Sequence, residues 1–176
     1  AGMNVGIDME IKECMKQIDQ AEFVLVGLGE EFGLKTDNRE KLENAYCCLE
    51  KLLKGKTYFI LTLAEDDLIY RSGLLSFFIA APFLGETDED TLPDQEQQWN
   101  SYLNWLTATL GHRLCILELG AGFASPQVIR WPFEKTAEYN QKAVLIRVND
   151  RFPQLPPELT GRGISMRMKG TDFLQI

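Results

Sequence analysis

The sequence predicts a three-layer α/β protein, in which helices flank both faces of a mostly parallel β-sheet. Four short apolar runs have the length of buried strands, and they occupy residues 22–27, 57–62, 114–119 and 143–148. Helical patterns separate these runs, and this alternation is typical of parallel strands joined by crossover helices. Residues 114–126, LCILELGAGFASP, show the pattern best, because the apolar run ends in glycines before the next helical pattern.

The first part of the chain opens with an amphipathic helical pattern at residues 8–20, for which Asp8 is the expected N-cap. The strand at 22–27 follows. The next helix is predicted to run from Asp37, its expected cap, through residue 53, because apolar side chains recur there on one face.

The middle of the chain adds the strand at 57–62, a short helix at 66–71 and a short strand at 75–80. Residues 85–98 are acidic and polar, which indicates a surface loop inserted in the domain. A stripe of large apolar side chains at helical spacing then predicts a core-facing helix over 99–110.

The last part of the chain places a helix over 126–140 between the two later strands. Pro132 lies inside this helical pattern, so it should kink the helix or restart it. The proline-rich residues 152–157 predict an extended segment, and a short strand near 163–168 precedes a terminal helical turn.

Composition indicates one folded domain and argues against several classes of partner. The chain has 176 residues, of which 45% are hydrophobic, and this suits a single domain with a substantial core. The net charge of -8 argues against a nucleic-acid partner and against an anionic membrane surface. We expect no membrane span and no signal peptide, and we interpret residues 1–3 as a tag remnant.

The four cysteines, Cys14, Cys47, Cys48 and Cys115, do not form the C-x-x-C pairs of zinc ribbons. We therefore expect no zinc, and no other metal constellation stands out. Cys14 and Cys47 fall at apolar helix positions and Cys115 falls in a strand, which predicts buried free thiols in a reducing compartment. A cytoplasmic location is the corresponding expectation.

Four segments resemble motifs of the sirtuin family, whose Rossmann-like domain binds NAD. Residues 21–32, AEFVLVGLGEEF, are similar to the opening strand and the Gly-Ala-Gly loop of that family. Residues 62–73, TLAEDDLIYRSG, are similar to its Thr-Gln-Asn-x-Asp motif. Residues 119–126 are similar to its Gly-Thr-Ser motif, and residues 148–149 to the Ile-Asn pair that ends a late strand. The shared order implies a Rossmann-like fold and NAD as the cofactor.

The resemblance also implies which residues contact NAD. Gly27 and Gly29 would approach the diphosphate, where the missing side chain exposes backbone N–H groups. Asp66 would lie beside the nicotinamide ribose. Gly120 and Gly122 would line the adenosine side.

Two further side chains would complete such a site. The resemblance implies that Asn149 hydrogen-bonds a ribose hydroxyl. Arg130, early in the helix after the glycine loop, is the best-placed cation for a diphosphate. The alternative for Arg130 is an ion pair with Glu134, four residues further along the helix.

Other positions depart from the sirtuin pattern and argue against deacetylase activity. Ala64 replaces the motif asparagine, the family's zinc cysteines are absent, and no histidine lies near 81–85, where the catalytic one is expected. His112 is the only histidine. It precedes a strand, so it should lie roughly 20 Å from the carboxyl ends of the strands.

The predicted strand ends carry many acids, namely Glu30, Glu31, Glu65, Asp66, Asp67 and Glu118. A carboxylate can stabilise the oxocarbenium ion formed when an N-glycosidic bond breaks, act as nucleophile or orient a water. Glu30, Glu65 and Asp66 are therefore the candidate catalytic residues, with solvated loop acids as the alternative. For Glu31 and Asp67 we favour a loop acid and a helix cap.

Three hypotheses follow from these patterns. The first is a sirtuin-like protein that binds NAD, ADP-ribose or a similar small nucleotide and lacks deacetylase activity. The second is an N-glycosidic hydrolase or transferase that uses the strand-end acids. The third is a protein-interaction module with a vestigial pocket, which a filled crevice at Gly27 and Gly120 would favour.

Overall fold

The computed structural model describes residues 2–87 and 91–176, and for residues 2–4 it describes the backbone alone. Residue 1 and part of the acidic segment, residues 88–90, lie outside the described residues. The helices and strands are α1 (Gly2–Gln20), β1 (Phe23–Leu28), α2 (Arg39–Leu52), β2 (Tyr58–Thr62), β3 (Ile79–Ala80), α3 (Gln95–Ala108), β4 (Leu114–Leu119), α4 (Arg130–Tyr139), β5 (Val144–Val148), β6 (Gly163–Met166) and α5 (Gly170–Leu174).

The sheet has six strands, all parallel, in the order β3-β2-β1-β4-β5-β6. β1 pairs with β2 on one side and with β4 on the other, so the chain builds two halves outward from the centre. This order is Rossmann-like and confirms the predicted α/β fold. The connections diverge at the carboxyl ends of β1 and β4, which is where ligands bind in such sheets.

Helices cover both faces of the sheet and create two apolar cores. α1, α2 and α5 contribute to one core, whereas α3 and α4 contribute to the other. Successive β1 residues alternate between them, since Val24 and Val26 belong to the first core and Leu25 to the second. Because both faces are buried, the strands are continuous apolar runs without polar alternation.

Three predicted helix starts are wrong. α1 extends further toward the N-terminus, so Asp8 lies inside the helix and does not cap it. Asn38, and not Asp37, caps α2, because its side-chain oxygen accepts a hydrogen bond from a first-turn backbone N–H. α4 begins at Arg130, so Pro132 lies in the first turn, where its missing N–H would have no intrahelical partner.

Two other segments differ from the prediction. Within 75–80, Ser76–Phe78 form a 3₁₀ turn, and only Ile79–Ala80 pairs with β2. Along the predicted stripe at 99–110, Tyr102 is buried, whereas Leu103 is 43% exposed and Leu110 is 54% exposed. None of the described helices is long and apolar enough to cross a membrane.

The cysteines are free within the described residues. Cys14 and Cys115 are buried as predicted, and burial raises the pKa of the Cys14 thiol to about 12. Cys47 is exposed, so its predicted burial is wrong. The apolar face of α2 includes Leu42 and Leu49, which pack in the core, and Cys47 lies off that face.

A charged cluster lies between the sheet and α4. Glu118 of β4 and Arg147 of β5 are fully buried neighbours in the sheet register, with Arg147 Nε 2.5 Å from Glu118 Oε2. Arg147 also lies 2.9 Å from Glu134 Oε1 of α4. Glu118 is therefore a buried ion-pair partner and not a strand-end acid. The predicted Arg130–Glu134 ion pair is wrong, because Glu134 pairs with Arg147.

Replacing Arg147 with methionine should destabilise the protein by about 3–5 kcal/mol, since it leaves the buried Glu118 carboxylate without its counter-ion. Urea unfolding followed by circular dichroism measures this loss. Lys135→Met is the control, because Lys135 pairs with Glu138 on the surface and its loss should leave stability nearly unchanged. Similar losses in the two variants would contradict the role assigned to Arg147.

Candidate functional site

A cavity of about 530 Å³ lies beyond the carboxyl ends of β1 and β2 and reaches the loop after β4. It therefore borders the point of the sheet where the connections diverge, on the β1–β2 side. Its lining comprises Gly29, Glu30, Phe32, Gly33, Leu34, Lys35, Thr36, Leu63, Ala64, Glu65, Asp66, Phe83, Gly85, Ala124 and Ser125. The cavity thus brings together the three predicted catalytic acids and one predicted binding glycine.

The loops after β1 and β4 cross in close contact beside this cavity. The Gly29 N–H donates to the Leu119 carbonyl at 2.9 Å. A Cβ on Gly29 would lie 2.2 Å from the Gly120 carbonyl oxygen, so only glycine allows this approach. Gly120 has φ of +66°, a left-handed conformation that also favours glycine.

Gly27 has a different environment from Gly29. It lies within β1 and is covered by α4, because a Cβ there would be 2.4 Å from Phe133 Cε2 and 2.8 Å from Ile129 Cγ2. The structure therefore gives Gly27 a role in the packing of α4 on the sheet. Phe133 and Ile129 leave no open space beside Gly27 for the predicted contact with a diphosphate.

The Glu30 carboxylate accepts hydrogen bonds from backbone amides of the loop after β4. Its Oε1 accepts hydrogen bonds from the Gly122 N–H at 3.0 Å and from the Ala124 N–H at 3.4 Å. Its Oε2 is buried and has no hydrogen-bond partner within the described part of the chain. Adjacent backbone N–H groups are a common anion-binding arrangement, and here the anion is a side chain of the protein itself.

The neighbouring Glu31 carboxylate binds on the other side of the same loop. Both of its oxygens accept from the Gly170 N–H at the start of α5, at 2.8 and 3.0 Å. The carboxylate lies against Gly120, where a Cβ would be 2.4 Å from Glu31 Oε2. Glu31 is therefore not a solvated loop acid. Burial, chiefly, raises the pKa of its carboxyl to about 7.

Asp66 and Glu65 connect the loop after β2 to the loop after β1. Asp66 Oδ2 accepts from the Leu34 N–H at 2.9 Å, and Asp66 Oδ1 accepts from the Leu68 N–H at 3.1 Å. The exposed Glu65 pairs with Lys35 across the cavity mouth. These contacts hold the segment that follows Gly33 over the cavity.

Asp67 pairs with Arg71, four residues further on, and makes no side-chain cap. Its predicted role as a helix cap is therefore wrong. Asp66 performs that role, because its Oδ1 binds the Leu68 N–H at the start of the 3₁₀ turn. The carboxylate of Asp67 instead balances the guanidinium on the surface of the same turn.

Asn149 and Arg130 are buried and bind the backbone of the β4 and β5 loops. Asn149 Nδ2 donates to the Ala121 carbonyl at 3.1 Å, while its Oδ1 accepts from the N–H of Phe152 at 2.9 Å. Arg130 donates to the carbonyls of Ala121 at 3.1 Å and Phe152 at 3.0 Å. Its guanidinium lies 4.4 Å from the centre of the Phe123 ring. These side chains position the loops and do not line the cavity.

His112 lies at the other end of the strands, where β1 and β4 begin. It is half-exposed, with Nδ1 3.5 Å from Glu22 Oε1 at the amino end of β1. This agrees with its predicted position away from the carboxyl ends of the strands. Within the described ranges, no group of three or more His, Cys, Asp or Glu side chains is arranged to hold a metal ion.

Sequence reasoning missed several residues of the cavity. Lys35 is the one cation in its lining, and Phe83 and Ser125 contribute two of its walls. Ser125 lies within the motif at 119–126 but was not singled out, and Lys35 and Phe83 follow a glycine and a proline, which marks them only as loop residues.

Comparison of the sequence with protein-family models and with curated proteins finds no match. The fold and the cavity therefore define the protein as a Rossmann-like α/β protein with a candidate ligand site at the carboxyl edge of its sheet.

The free energy of unfolding of the wild type should fall, relative to that of Glu31→Gln, as pH rises from about 5 to about 8. The raised pKa means that the folded state binds more protons than the unfolded state in this range, so deprotonation of Glu31 weakens the fold. Urea unfolding at several pH values tests this. Glu65→Gln, at an exposed acid, should keep the wild-type slope, and parallel curves for all three proteins would contradict the prediction.

Proposed function

We propose that the protein binds a nucleoside-containing small molecule, such as NAD or ADP-ribose, in the cavity at the carboxyl edge and has no deacetylase activity. The observation that carries the proposal is the position of the cavity beyond the carboxyl ends of β1 and β2, beside the point where the two halves of the Rossmann-like sheet diverge. Its volume of about 530 Å³ lies within the range of small-molecule sites.

The lining supports such a ligand. Leu63 and Phe83 offer apolar surface for a base or pyridine ring. Asp66 and Glu65 offer carboxylate oxygens that can accept hydrogen bonds from ribose hydroxyls. The sirtuin resemblance independently assigns Asp66 to the nicotinamide ribose, so the lining and the resemblance support the same half of a dinucleotide.

The absence of deacetylase activity is proposed from the position of His112. The sirtuin mechanism requires a histidine that deprotonates a ribose hydroxyl beside the cofactor. The cavity has no histidine in its lining, and His112, the only histidine of the sequence, lies by Glu22 at the other end of β1.

Isothermal titration should detect binding of at least one of NAD, ADP-ribose, adenosine and nicotinamide riboside to the wild type. Gly33→Trp should weaken that binding by about tenfold or more, because it fills the cavity. The position tolerates a side chain, since the nearest atom to an added Cβ is Asp66 Oδ2 at 3.9 Å.

Gly6→Trp is the matched control for this titration. It adds the same side chain on an exposed part of α1, where nothing lies within 4 Å of an added Cβ. It should bind as the wild type does. Absence of binding to the wild type, or equal binding by the Gly33 variant, would contradict the proposed site.

A second candidate function is hydrolysis or transfer at an N-glycosidic bond, which the convergence of Glu30, Glu65 and Asp66 on one cavity supports. Glu65 is the most available of them, because its carboxylate is exposed and makes its one side-chain ion pair with Lys35. Asp66 and Glu30 have oxygens that already accept backbone hydrogen bonds.

Prolonged incubation with NAD or a nucleoside, followed by chromatography of the released base, tests the glycosidic reaction. If the acids act in catalysis, Glu65→Gln should reduce release by about a hundredfold, within the range usual for loss of a catalytic acid or base. Glu86→Gln, a change of the same charge outside the cavity lining, should leave the rate unchanged. No release by the wild type would exclude this function for the substrate tested.

A third candidate is an interaction module with a vestigial pocket, and the filled glycine crevice favours it. Phe133 covers Gly27 and Glu31 covers Gly120, so the part of the edge between β1 and β4 is closed. The open space lies on the β1–β2 side. The titration above separates a vestigial pocket from a functional one.

A further inference from the structure

We infer that Glu30 determines the class of ligand, so that the cavity accepts a nucleoside in preference to the corresponding 5′-phosphate. This inference rests on the proposed function and narrows it, because it ranks nucleosides without phosphate above NAD and ADP-ribose, which carry a diphosphate. In the structure, Glu30 acts as an internal anion on the amides that a phosphate would need.

The Glu30 carboxylate lies in close contact with the loop after β4. Glu30 Oε1 lies 3.0 Å from the Gly122 nitrogen and 3.4 Å from the Ala124 nitrogen. A Cβ on Gly122 would be 2.7 Å from the same oxygen, so the loop closes tightly around the carboxylate. Because Ala124 and Glu30 both line the cavity, a ligand phosphate that reaches these amides must displace Glu30.

The charged groups of the cavity lining are mostly acidic. The cavity lining contains the carboxylates of Glu30, Glu65 and Asp66 and one cation, Lys35, which is paired with Glu65. A phosphate would therefore enter a site of its own sign, and like charges at short distance repel strongly in a partly buried cavity.

The nearby arginines do not compensate for the negative charge of the lining. Arg130 is buried, and its guanidinium donates to the carbonyls of Ala121 and Phe152. Arg147 is buried against Glu118 and Glu134. Neither guanidinium lines the cavity, so neither is directed at a phosphate there.

An uncharged or cationic nucleoside fits this lining better than a nucleotide. Its hydroxyls can donate to the carboxylates, and its base can contact the apolar walls at Leu63, Ala64 and Phe83. A cationic base, such as the pyridinium ring of nicotinamide riboside, also gains from the negative lining.

Paired titrations test the inference with nicotinamide riboside against nicotinamide mononucleotide, and adenosine against adenosine 5′-monophosphate. The wild type should bind a nucleoside about tenfold or more tightly than its 5′-phosphate. Glu30→Gln removes the charge but keeps an oxygen that can accept from Gly122, so it should bind the phosphate about tenfold more tightly than the wild type does. Its affinity for the uncharged nucleoside adenosine should change by less than about threefold, which also shows that the variant is folded.

Glu31→Gln is the control, because it removes the same charge from the adjacent residue, whose bonds go to Gly170 outside the cavity. It should keep the wild-type preference. Equal or tighter binding of the phosphate by the wild type would overturn the inference, and so would an unchanged preference in Glu30→Gln. If neither nucleoside nor nucleotide binds the wild type, the proposed function fails together with this inference, which distinguishes that result from a failure of selectivity alone.

Discussion

The carboxyl edge of the sheet depends on two adjacent carboxylates, Glu30 and Glu31, which leave the β1 loop in opposite directions. Glu30 binds the amide of Gly122, 92 residues later in the sequence, and Glu31 binds the amide of Gly170, 139 residues later. Both side chains accept hydrogen bonds from backbone N–H groups distant in sequence, and these bonds hold the β1 loop against the β4 loop and α5. Glu30 also lines the cavity and brings negative charge to a region where Rossmann-like proteins commonly bind phosphate.

Arg130 and Arg147, the two buried arginines near this edge, are bound to protein groups. They therefore do not offset the negative charge of the acids that line the cavity. Arg147 pairs with Glu118 between the sheet and α4, and Arg130 donates hydrogen bonds to loop carbonyls such as that of Phe152. Breaking these bonds to reach a ligand would leave buried carbonyls or a buried carboxylate without partners, at a considerable cost. The arginines thus hold the surrounding loops without lining the cavity, and the charged groups of its lining are the acids and Lys35.

The fold was predictable because burial on both faces makes each parallel strand a continuous apolar run. Convergence of Glu30, Glu65 and Asp66 was predictable as well, since the carboxyl ends of adjacent parallel strands meet at one edge. The destinations of the side chains were not predictable from one sequence. Nothing local indicates that Phe133 covers Gly27, because tertiary packing across about a hundred residues decides that contact.

The contacts of each acid bear on the choice between binding and catalysis. A catalytic carboxylate needs an oxygen that is free to meet the reacting atoms. Glu30 retains one oxygen without a hydrogen-bond partner among the described residues, yet that oxygen is buried. Asp66 uses each oxygen to hold a loop amide, and this favours a ligand-positioning role in which its remaining lone pairs accept ribose hydroxyls. The arrangement is therefore that of an acidic cavity whose loops are joined by carboxylate hydrogen bonds, and under the proposed function Glu65 is the acid whose exposure allows proton transfer to a bound nucleoside.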